Sequence, residues 1–168
     1  VKRQRLCYNK HSGELLEFSG ITGAYNRTIT LTGDCFTNSS GTKLGIPTNC
    51  IFVDGNNNLC VSNLVTSFST DNPLTVCTID INTGNTTRVF QSNITESIRV
   101  DYANAFGDVT KDGAQIWAST NATKVLRWTR KNGSWVYEST TINSFYPTSA
   151  TSLGTAPWVM PISETDFL

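Results

Sequence analysis

A four-strand pattern that recurs along the chain limits the possible folds more than any other feature of the sequence. Residues 50–92 contain a strand ending in Asp-Gly, a short apolar strand ending at Ser62, and then a hairpin closed at a glycine. Residues 93–142 repeat this order, with Ser119 at the position of Ser62. A unit of four short strands that repeats after about fifty residues is typical of sheets that bury their faces only against their neighbours.

The closing hairpin of this unit has a similar sequence in three places. Its turn glycines are Gly13, Gly84 and Gly133, in the turns HSG, NTG and NG, whose residue types tolerate the backbone angles of tight turns. Before each glycine the side chains alternate with period two, which predicts one buried face per strand. The residues on that face are Leu6, Tyr8, Cys77, Ile79, Leu126 and Trp128. The alignment therefore predicts that the first hairpin, 5–18, ends a further unit.

These units predict an all-β fold made of the antiparallel four-stranded blades of a β-propeller. The predicted divisions are the end of a blade at 1–18, an insert at 19–49, blades at 50–92 and 93–142, and the start of a next blade at 143–168. The insert contains the alternating segment AYNRTITLTG, which predicts an extra strand or hairpin. Because a propeller ring needs four or more blades, we expect an incomplete segment of a longer propeller.

The two ends of such a segment would leave open surfaces. APWVMPISETDFL, near the end of the sequence, resembles the first strand of another blade. Unpaired strands and exposed apolar blade faces favour association. We therefore expect the remaining blades of the same protein, or another chain, to cover both edges. The predicted contact residues are Leu6, Tyr8, Val159 and Ile162.

Composition narrows the possible functions. The 168 residues include 13 Lys plus Arg and 13 Asp plus Glu, so no net charge attracts the chain to nucleic acid or anionic lipid. No run of about 18 apolar residues is present, which argues against a membrane-spanning helix. The 25 Thr and 16 Asn residues suit strands and turns, in agreement with an all-β fold.

The stretch FVDGNNNLCVSN, residues 52–63, has carboxylate and amide side chains at alternate positions, as the start of a calcium-binding loop has. Such a loop also needs Gly at its sixth position and Glu at its twelfth, where this chain has Leu59 and Val65. The aligned stretch KDGAQIWAS keeps only the Asp-Gly pair, at Asp112. We therefore predict that Asp54 is a turn residue.

Five cysteines, an odd number, argue against a complete disulfide framework. Cys60 and Cys77 lie within apolar strand patterns and are predicted to be small, free core residues. Cys35 and Cys50 flank a Gly/Ser/Thr-rich stretch and are the candidate disulfide pair, the alternative being that they stay unbridged. His11 is the single histidine and no CxxC pair occurs, so neither a metal site nor a cofactor is predicted.

FVDGNNNLCVSN and GDVTKDGAQIWAST, followed by TKVLRWTRKNGSW, resemble blades of secreted or surface β-propellers from gut Bacteroidetes, a largely uncharacterised family. NHL-type and lactonase-type propellers are more distantly similar. The resemblance covers about residues 50–168 and, more loosely, 1–18. It departs from the NHL pattern at Cys60, where an aromatic residue is usual, and in the long insert. It implies an extracellular or cell-surface location and a binding role, without established catalytic residues.

Few residues stand out as candidates for a functional site. Asp101 and Asp108 bracket YANAFG just ahead of a blade's first strand, where propellers often line their axial funnel. They are the candidate catalytic carboxylates, with a structural role as the alternative. Trp135, shortly after a turn glycine, and Trp158, in TAPWVM, are candidates for stacking on a sugar. Trp117 and Trp128 fall on buried strand positions and are predicted to belong to the core.

The leading functional hypothesis is a non-enzymatic binding module that recognises a glycan or a protein through propeller loops. One alternative is a propeller-type hydrolase or lyase with catalytic groups partly outside this segment, which a cluster of carboxylates at the ring axis would favour. Another is a structural component of a surface or phage-like assembly. Fold alone does not decide among the three.

Overall fold

Antiparallel β-sheets form the regular structure of the computed structural model. The structure describes residues 4–9, 14–33, 35, 50–63, 73–93, 100–120, 125–140 and 162. Its strands are β1 (Gln4–Asn9), β2 (Glu14–Ser19), β3 (Tyr25–Thr30), β4 (Cys50–Val53), β5 (Leu59–Ser62), β6 (Thr75–Ile79), β7 (Thr86–Gln91), β8 (Val100–Phe106), β9 (Gln115–Thr120), β10 (Val125–Lys131) and β11 (Ser134–Thr140). No helix occurs within these described ranges, so the all-β prediction is confirmed there.

The strands form three sheets, in each of which consecutive strands pair antiparallel. The first sheet has the order β1-β2-β3, the second β4-β5-β6-β7 and the third β8-β9-β10-β11. The two four-stranded sheets lie within the predicted units at 50–92 and 93–142. Among the described residues no sheet closes on itself.

The second and third sheets pack face to face around aromatic side chains. Phe90 of β7 shares a core cluster with Leu126 and Trp128 of β10, and the Phe90 and Trp128 rings meet edge to face with centroids 5.1 Å apart. Trp135 of β11 extends the contact, because its indole Nε1 donates to the Val89 carbonyl oxygen over 2.9 Å. Edge-to-face pairs add about 0.5–1.5 kcal/mol beyond the area they bury, so this cluster helps to fix the third sheet on the second.

The first sheet packs on the opposite face of the second sheet in a corresponding way. Leu15 and Ile29, which are cross-strand partners, share a core cluster with Cys77 and Ile79 of β6. Cys77 and Ile79 stand at the same distances before the β6–β7 turn as Leu126 and Trp128 stand before the β10–β11 turn. The second sheet therefore receives the first sheet on the same face on which the third sheet receives the second. This is expected of repeated units that stack on their neighbours.

The turns show that the β2–β3 hairpin corresponds to the β6–β7 hairpin. They are SGITGA (19–24) and DINTGN (80–85). In both, the first residue donates its N–H to the carbonyl of the sixth, its own carbonyl accepts from the fifth, and its side-chain oxygen accepts from the N–H of the third. The fourth residue is Thr, whose hydroxyl accepts from the sixth N–H. The shared Ser/Asp-x-x-Thr-Gly spacing is the sequence signal of this turn.

This correspondence corrects the alignment of the first hairpin. The match of Gly13 to Gly84 is wrong, because the counterpart of Gly84 is Gly23, in the turn after β2. Leu6 is consequently not on an open face but packs into the cluster between the first and second sheets. The extra strand predicted in AYNRTITLTG is confirmed as β3, and it belongs to the first sheet. That sheet continues past the boundary predicted at residue 18.

A disulfide joins Cys35 to Cys77, with the Cα atoms 6.3 Å apart. The candidate pair Cys35–Cys50 is therefore wrong. Cys77 is a buried core residue, as predicted, but it is bridged rather than free. Cys60 is a buried free cysteine, as predicted. Because Cys35 follows the first sheet and Cys77 lies in the second, the bridge crosses between the two sheets.

Backbone pairing explains why Cys35 meets β6 rather than Cys50. The chain beyond β3 runs beside the start of β7, where the Thr32 N–H donates to the Gly84 carbonyl and the Thr32 carbonyl accepts from the Thr86 N–H, each over 2.9 Å. Arg88 Nη2 donates to the Cys35 carbonyl over 3.2 Å. These bonds hold Thr32 and Cys35 against the second sheet on the side where the first sheet packs.

Gly84→Ala is expected to destabilise the protein more than Gly23→Ala. Both glycines have left-handed φ angles, +76° and +72°, which cost other residues about 1–2 kcal/mol. A Cβ on Gly84 would also collide with the Thr30 carbonyl oxygen, whereas one on Gly23 meets nothing within 4 Å. We expect an additional loss of about 1–3 kcal/mol for Gly84→Ala in urea unfolding. Equal losses would contradict the packing of the β6–β7 turn on β3.

A charged pair lies where the first sheet meets the second. Glu17 is only 5% exposed, and its Oε2 accepts from Arg27 Nε over 3.0 Å while its Oε1 accepts from Asn26 Nδ2 over 3.1 Å. The hydrogen bond from Arg27, followed by that from Asn26, lowers the pKa of Glu17. Arg27 Nη2 also donates to the Ile81 carbonyl over 2.9 Å, so the pair links the first sheet to the β6–β7 turn.

Stability is expected to depend on pH through Glu17. A lowered folded pKa stabilises the fold above the unfolded pKa of about 4.3, and this contribution is lost as the pH falls through the folded pKa. From about pH 6 to about pH 3, the unfolding free energy of the wild type should therefore fall more steeply than that of Glu17→Gln. Parallel pH curves for the two proteins would show that the Arg27 pair contributes nothing to folding.

Candidate functional site

The stacked second and third sheets have two different ends, which we name the turn end and the loop end. At the turn end, the Gly55 N–H donates to the Gly107 carbonyl over 2.9 Å, which holds the β4–β5 turn against the β8–β9 turn. The loop end is opposite, where β5, β7 and β9 finish. The segments that connect successive strands of the two sheets at the loop end are 64–72, 94–99 and 121–124, and these segments lie outside the described residues.

At the turn end, hydrogen bonds occupy both carboxylate oxygens of Asp54, which is 5% exposed. Oδ1 accepts from the N–H groups of Asn56 and Asn58 over 2.9 and 2.8 Å. Oδ2 accepts from Asn58 Nδ2 over 2.9 Å and, at 3.5 Å, from the Val109 N–H beyond β8. The prediction that Asp54 is a turn residue is confirmed, and its carboxylate also reaches the next sheet.

Asp108 is the counterpart of Asp54 in the third sheet. Each follows the first strand of its sheet and accepts at Oδ1 from the N–H two residues on. Asp108 also accepts from the Thr110 hydroxyl and pairs with Lys111, and these contacts, the Thr110 N–H first, lower its pKa. The sequence alignment of Asp54 with Asp112 is therefore wrong. Asp112 accepts from an N–H of the β10–β11 turn instead.

The two candidate catalytic carboxylates do not come together. Asp101 is the second residue of β8, and Asp108 lies just beyond the end of that strand, so YANAFG belongs to the first strand instead of preceding it. At about 3.3 Å per residue, their Cα atoms are about 20 Å apart. Paired carboxylates in glycoside hydrolysis are roughly 5–10 Å apart. The structure thus gives Asp108 a turn role and separates the two residues by most of the length of β8.

The candidate Trp135 lies between sheets instead of facing a groove. Its ring is partly buried against the second-third sheet cluster and meets Phe90 edge to face, with centroids 5.3 Å apart. Trp117 and Trp128 are 1% and 0% exposed, in agreement with the predicted core positions. Trp158 lies outside the described residues. Trp135 thus contributes to packing, with its N–H already bonded to the neighbouring sheet.

At the loop end, buried side chains fix the points from which the loops leave. Asn63 follows β5 and is 6% exposed, and its Oδ1 accepts from the Thr75 N–H over 2.7 Å while its Nδ2 donates to the Pro73 carbonyl over 2.9 Å. Ser92 follows β7, and its Oγ accepts from the Leu74 N–H over 3.0 Å. Two of the three loop-end segments are therefore attached to hydrogen-bonded, buried positions.

Asn63 and Ser92 were not identified as site residues from the sequence. A usable signal exists for Asn63, because each apolar second strand ends in Ser followed by a polar residue, Asn63 in one unit and Thr120 in the other. Both of these polar residues are buried. A polar side chain at the end of an apolar strand is buried only when it is hydrogen-bonded, so the repeated pair indicates a fixed loop base.

Cys60 lies beside the turn end but is not a nucleophile. Burial, followed by the negative charge of Asp54, raises the pKa of its thiol to about 12. The thiol is therefore protonated at neutral pH, whereas the thiolate is the reactive form. In the described part of the chain, no group of three or more His, Cys, Asp and Glu residues is arranged to hold a metal ion.

The third sheet carries a charged row on the face turned away from the second sheet. Arg127 Nη2 pairs with Glu138 Oε2 at 2.8 Å, and the guanidinium lies 5.4 Å from the centre of the Trp117 ring. Trp117 Nε1 donates to Gln115 Oε1 over 3.0 Å. The hydrogen bond from Lys131 is the main cause that lowers the pKa of Glu138. Glu138 is therefore ionised at neutral pH and unsuited to act as a general acid.

No protein-family model, curated protein or solved structure matches the chain. The similarity to Bacteroidetes surface propellers accordingly stays a prediction from the quoted motifs. Within the ranges that the structure describes, no helix is long and apolar enough to cross a membrane.

Proposed function

We propose that this chain is part of an extracellular β-propeller-type module that binds carbohydrate with its loop end. The observation that carries the proposal is the difference between the two ends of the stacked sheets. Tight turns, closed by Asp54, Asp80 and Asp108, occupy one end. The connecting segments at the other end have three different lengths, and two of them adjoin the hydrogen-bonded, buried Asn63 and Ser92. Variable loops on a rigid scaffold are the usual way in which β-proteins recognise ligands.

The stacking of the sheets supports the propeller part of the proposal. Four-stranded meanders that pack face to face through corresponding positions are the building plan of a propeller. In a propeller the first strands of neighbouring blades converge on the axis. Here the first strands β4 and β8 lie side by side, and their turns are joined by the Gly55–Gly107 hydrogen bond.

The Cys35–Cys77 disulfide supports an extracellular location. Disulfides persist in oxidising compartments and are rare in the reducing cytosol. This one is buried, with Cys35 1% and Cys77 0% exposed, and joins two sheets. A bridge in that position serves to hold the fold together, as disulfides in secreted domains do.

The sequence of the loop-end segments favours carbohydrate as the ligand class. LVTSFSTDN (64–72), ITESIR (94–99) and NATK (121–124) are rich in hydroxyl and amide side chains, which can donate to and accept from sugar hydroxyls. Phe68 adds one aromatic ring that could stack on the apolar face of a sugar. Balanced charge on the whole chain gives no reason to expect a polyanion.

The described carboxylates give less support to the hydrolase or lyase alternative. Glu17, Asp54, Asp108 and Glu138 are held by hydrogen bonds or ion pairs within the fold. A general acid needs a raised pKa, yet the pKa shifts of Glu17, Asp108 and Glu138 are all downward. These groups are better suited to holding a scaffold than to proton transfer.

The test is a glycan array probed with the intact chain and two variants. In the first variant, residues 64–72 are replaced by a Gly/Ser sequence of equal length. In the second, Asn56→Ser changes an exposed residue of the turn end. We expect the wild type and Asn56→Ser to bind the same carbohydrate, and the loop variant to lose about tenfold or more in affinity.

Two results would contradict the proposal. The first is a folded chain that binds no carbohydrate on the array. The second is unchanged binding by the loop variant, which would locate the ligand elsewhere. Release of sugar fragments during incubation with the bound glycan would replace the binding role by the hydrolase or lyase alternative.

A further inference from the structure

The sequence contains a single Asn-Gly pair, Asn132–Gly133, which forms the turn between β10 and β11. The flanking residues Lys131 and Ser134 are cross-strand partners, so the turn has only two residues. Both have left-handed φ angles, +51° and +75°, and both are exposed. Asn-Gly suits such a turn. It is also the pair in which asparagine reacts most readily with its own backbone, because glycine has no Cβ to hinder the approach.

The reaction joins the Gly133 nitrogen to the side-chain carbonyl carbon of Asn132. The nitrogen first loses its proton and then forms a bond to Cγ, and the side-chain NH2 group takes up a proton and leaves as ammonia. The resulting succinimide ring is opened by water at either carbonyl, so the product is aspartate or isoaspartate. Water is the only co-reactant. The rate therefore depends on how easily the Gly133 N–H gives up its proton.

In the folded chain a carboxylate holds this N–H. Gly133 donates to Asp112 Oδ1 over 2.9 Å, and Arg130 Nε lies 3.9 Å from the same oxygen. Hydrogen bonds to a charged acceptor are stronger than neutral ones. Loss of the proton would leave a negative nitrogen beside a negative carboxylate, and a like charge disfavours ionisation. Since carboxylates are weak bases, Asp112 keeps the proton on the nitrogen instead of removing it.

The other two Asx-Gly pairs of the sequence are Asp-Gly pairs, and their acceptors are of a different kind. The glycine N–H of each donates to a backbone carbonyl, Gly55 to Gly107 over 2.9 Å and Gly113 to Arg130 over 3.0 Å. At Asn132–Gly133 the acceptor is instead the side chain of Asp112, which is 55% exposed. An amide is also attacked more readily than an ionised carboxylate. Asn132 thus combines the more reactive side chain with the more easily displaced acceptor.

We propose that Asn132 is a site of spontaneous conversion to aspartate and isoaspartate, and that the hydrogen bond from Gly133 to Asp112 limits the rate in the folded chain. Isoaspartate lengthens the backbone of a two-residue turn, and either product adds a negative charge to the turn that Asp112 contacts. The affected hairpin carries Trp128 and Trp135, which pack against the second sheet. Conversion is therefore a slow, irreversible change in the hairpin that fixes the third sheet on the second.

The first test incubates the intact chain at neutral pH and follows position 132 by peptide mapping with mass spectrometry, which distinguishes asparagine, aspartate and isoaspartate. We expect Asp112→Ala to convert about tenfold faster than the wild type. Lys111→Ala is the matched control, because it removes a neighbouring exposed charge without touching the Gly133 bond, and it should convert at the wild-type rate. In urea, wild type and Asp112→Ala should convert equally, and faster than the folded wild type.

The second test is amide hydrogen exchange measured by NMR, because exchange at neutral pH removes the proton from the same nitrogen. In Asp112→Ala we expect faster exchange at Gly133 and unchanged exchange at Arg130, whose N–H donates to the Ala114 carbonyl over 2.8 Å.

Three results would overturn the proposal. The first is equal conversion of the folded wild type and Asp112→Ala. The second is slower conversion of the variant, which would make Asp112 a base that promotes the reaction. The third is a general rise in exchange along β10 and β11, which would show that the variant has opened the hairpin. None of these results depends on whether the loop end binds carbohydrate.

Discussion

Loss of the Cys35–Cys77 disulfide is expected to lower the free energy of unfolding by about 4 kcal/mol. The cysteines are 42 residues apart in sequence, and a cross-link over a loop of this length removes much of the entropy of the unfolded chain. Domain stabilities are about 5–15 kcal/mol, so this loss is a large fraction of the total. The first sheet, which the bridge ties to the second, should become the part most susceptible to protease.

The measurement is urea unfolding with and without dithiothreitol, with thiol titration to verify reduction. Wild type should be destabilised by the reductant, whereas the double variant Cys35→Ala and Cys77→Ala should be equally unstable in both conditions. Cys60→Ala is the control for changing a buried cysteine without breaking a bridge, and it should remain sensitive to the reductant. A fully reduced wild type with unchanged stability would contradict a structural role for the disulfide.

Asp54→Ala is expected to cost about 3 kcal/mol or more. The 5% exposed carboxylate accepts from the N–H groups of Asn56 and Asn58 and from Asn58 Nδ2, and a hydrogen bond to a charged group contributes about 1.5–3 kcal/mol. The substitution also removes the longer contact with the Val109 N–H of the third sheet. Asp80→Ala is the matched control, since Asp80 makes the same kind of turn bond but is exposed. That variant should lose much less stability.

The same pair of proteins tests the rejected calcium interpretation. Because the N–H groups of its own turn occupy the Asp54 carboxylate, we expect millimolar calcium to leave the thermal midpoint of the wild type unchanged. A ligand that binds only the folded state must raise the midpoint. A rise that disappears in Asp54→Ala would show that calcium displaces these turn bonds.

The four-stranded units at 50–92 and 93–142 were predictable because alternation and turn glycines both point to the same strands. The first hairpin was misaligned because alternation alone does not say which of two adjacent hairpins matches a unit. As sequences, HSG and TG both fit a tight turn with a glycine. Only the hydrogen-bonded Ser/Asp-x-x-Thr-Gly spacing at 19–24 and 80–85 distinguishes them. With that match, Leu15 and Ile29 take the buried positions.

The disulfide and the candidate site were harder to predict, because separation along the sequence does not give separation in space. Cys35 and Cys77 meet because Thr32 and Cys35 bond to residues of β7 and its turn, a pairing that local sequence does not reveal. Asp101 and Asp108 are close in sequence, but an extended strand separates them. Trp135 follows a turn, as solvent-facing residues often do, yet its register on β11 directs the ring to the second sheet.

The central claim is that the first sheet packs on the second as the second packs on the third. Methyl–methyl NOEs in a sample labelled at Ile, Leu and Val test it most directly. We expect the methyl groups of Leu15 and Ile29 to show NOEs to those of Val61 and Ile79, which share their core cluster. NOEs from Leu16 to Val61 and Ile79, with none from Leu15, would reverse the faces of the first sheet and contradict the repeat.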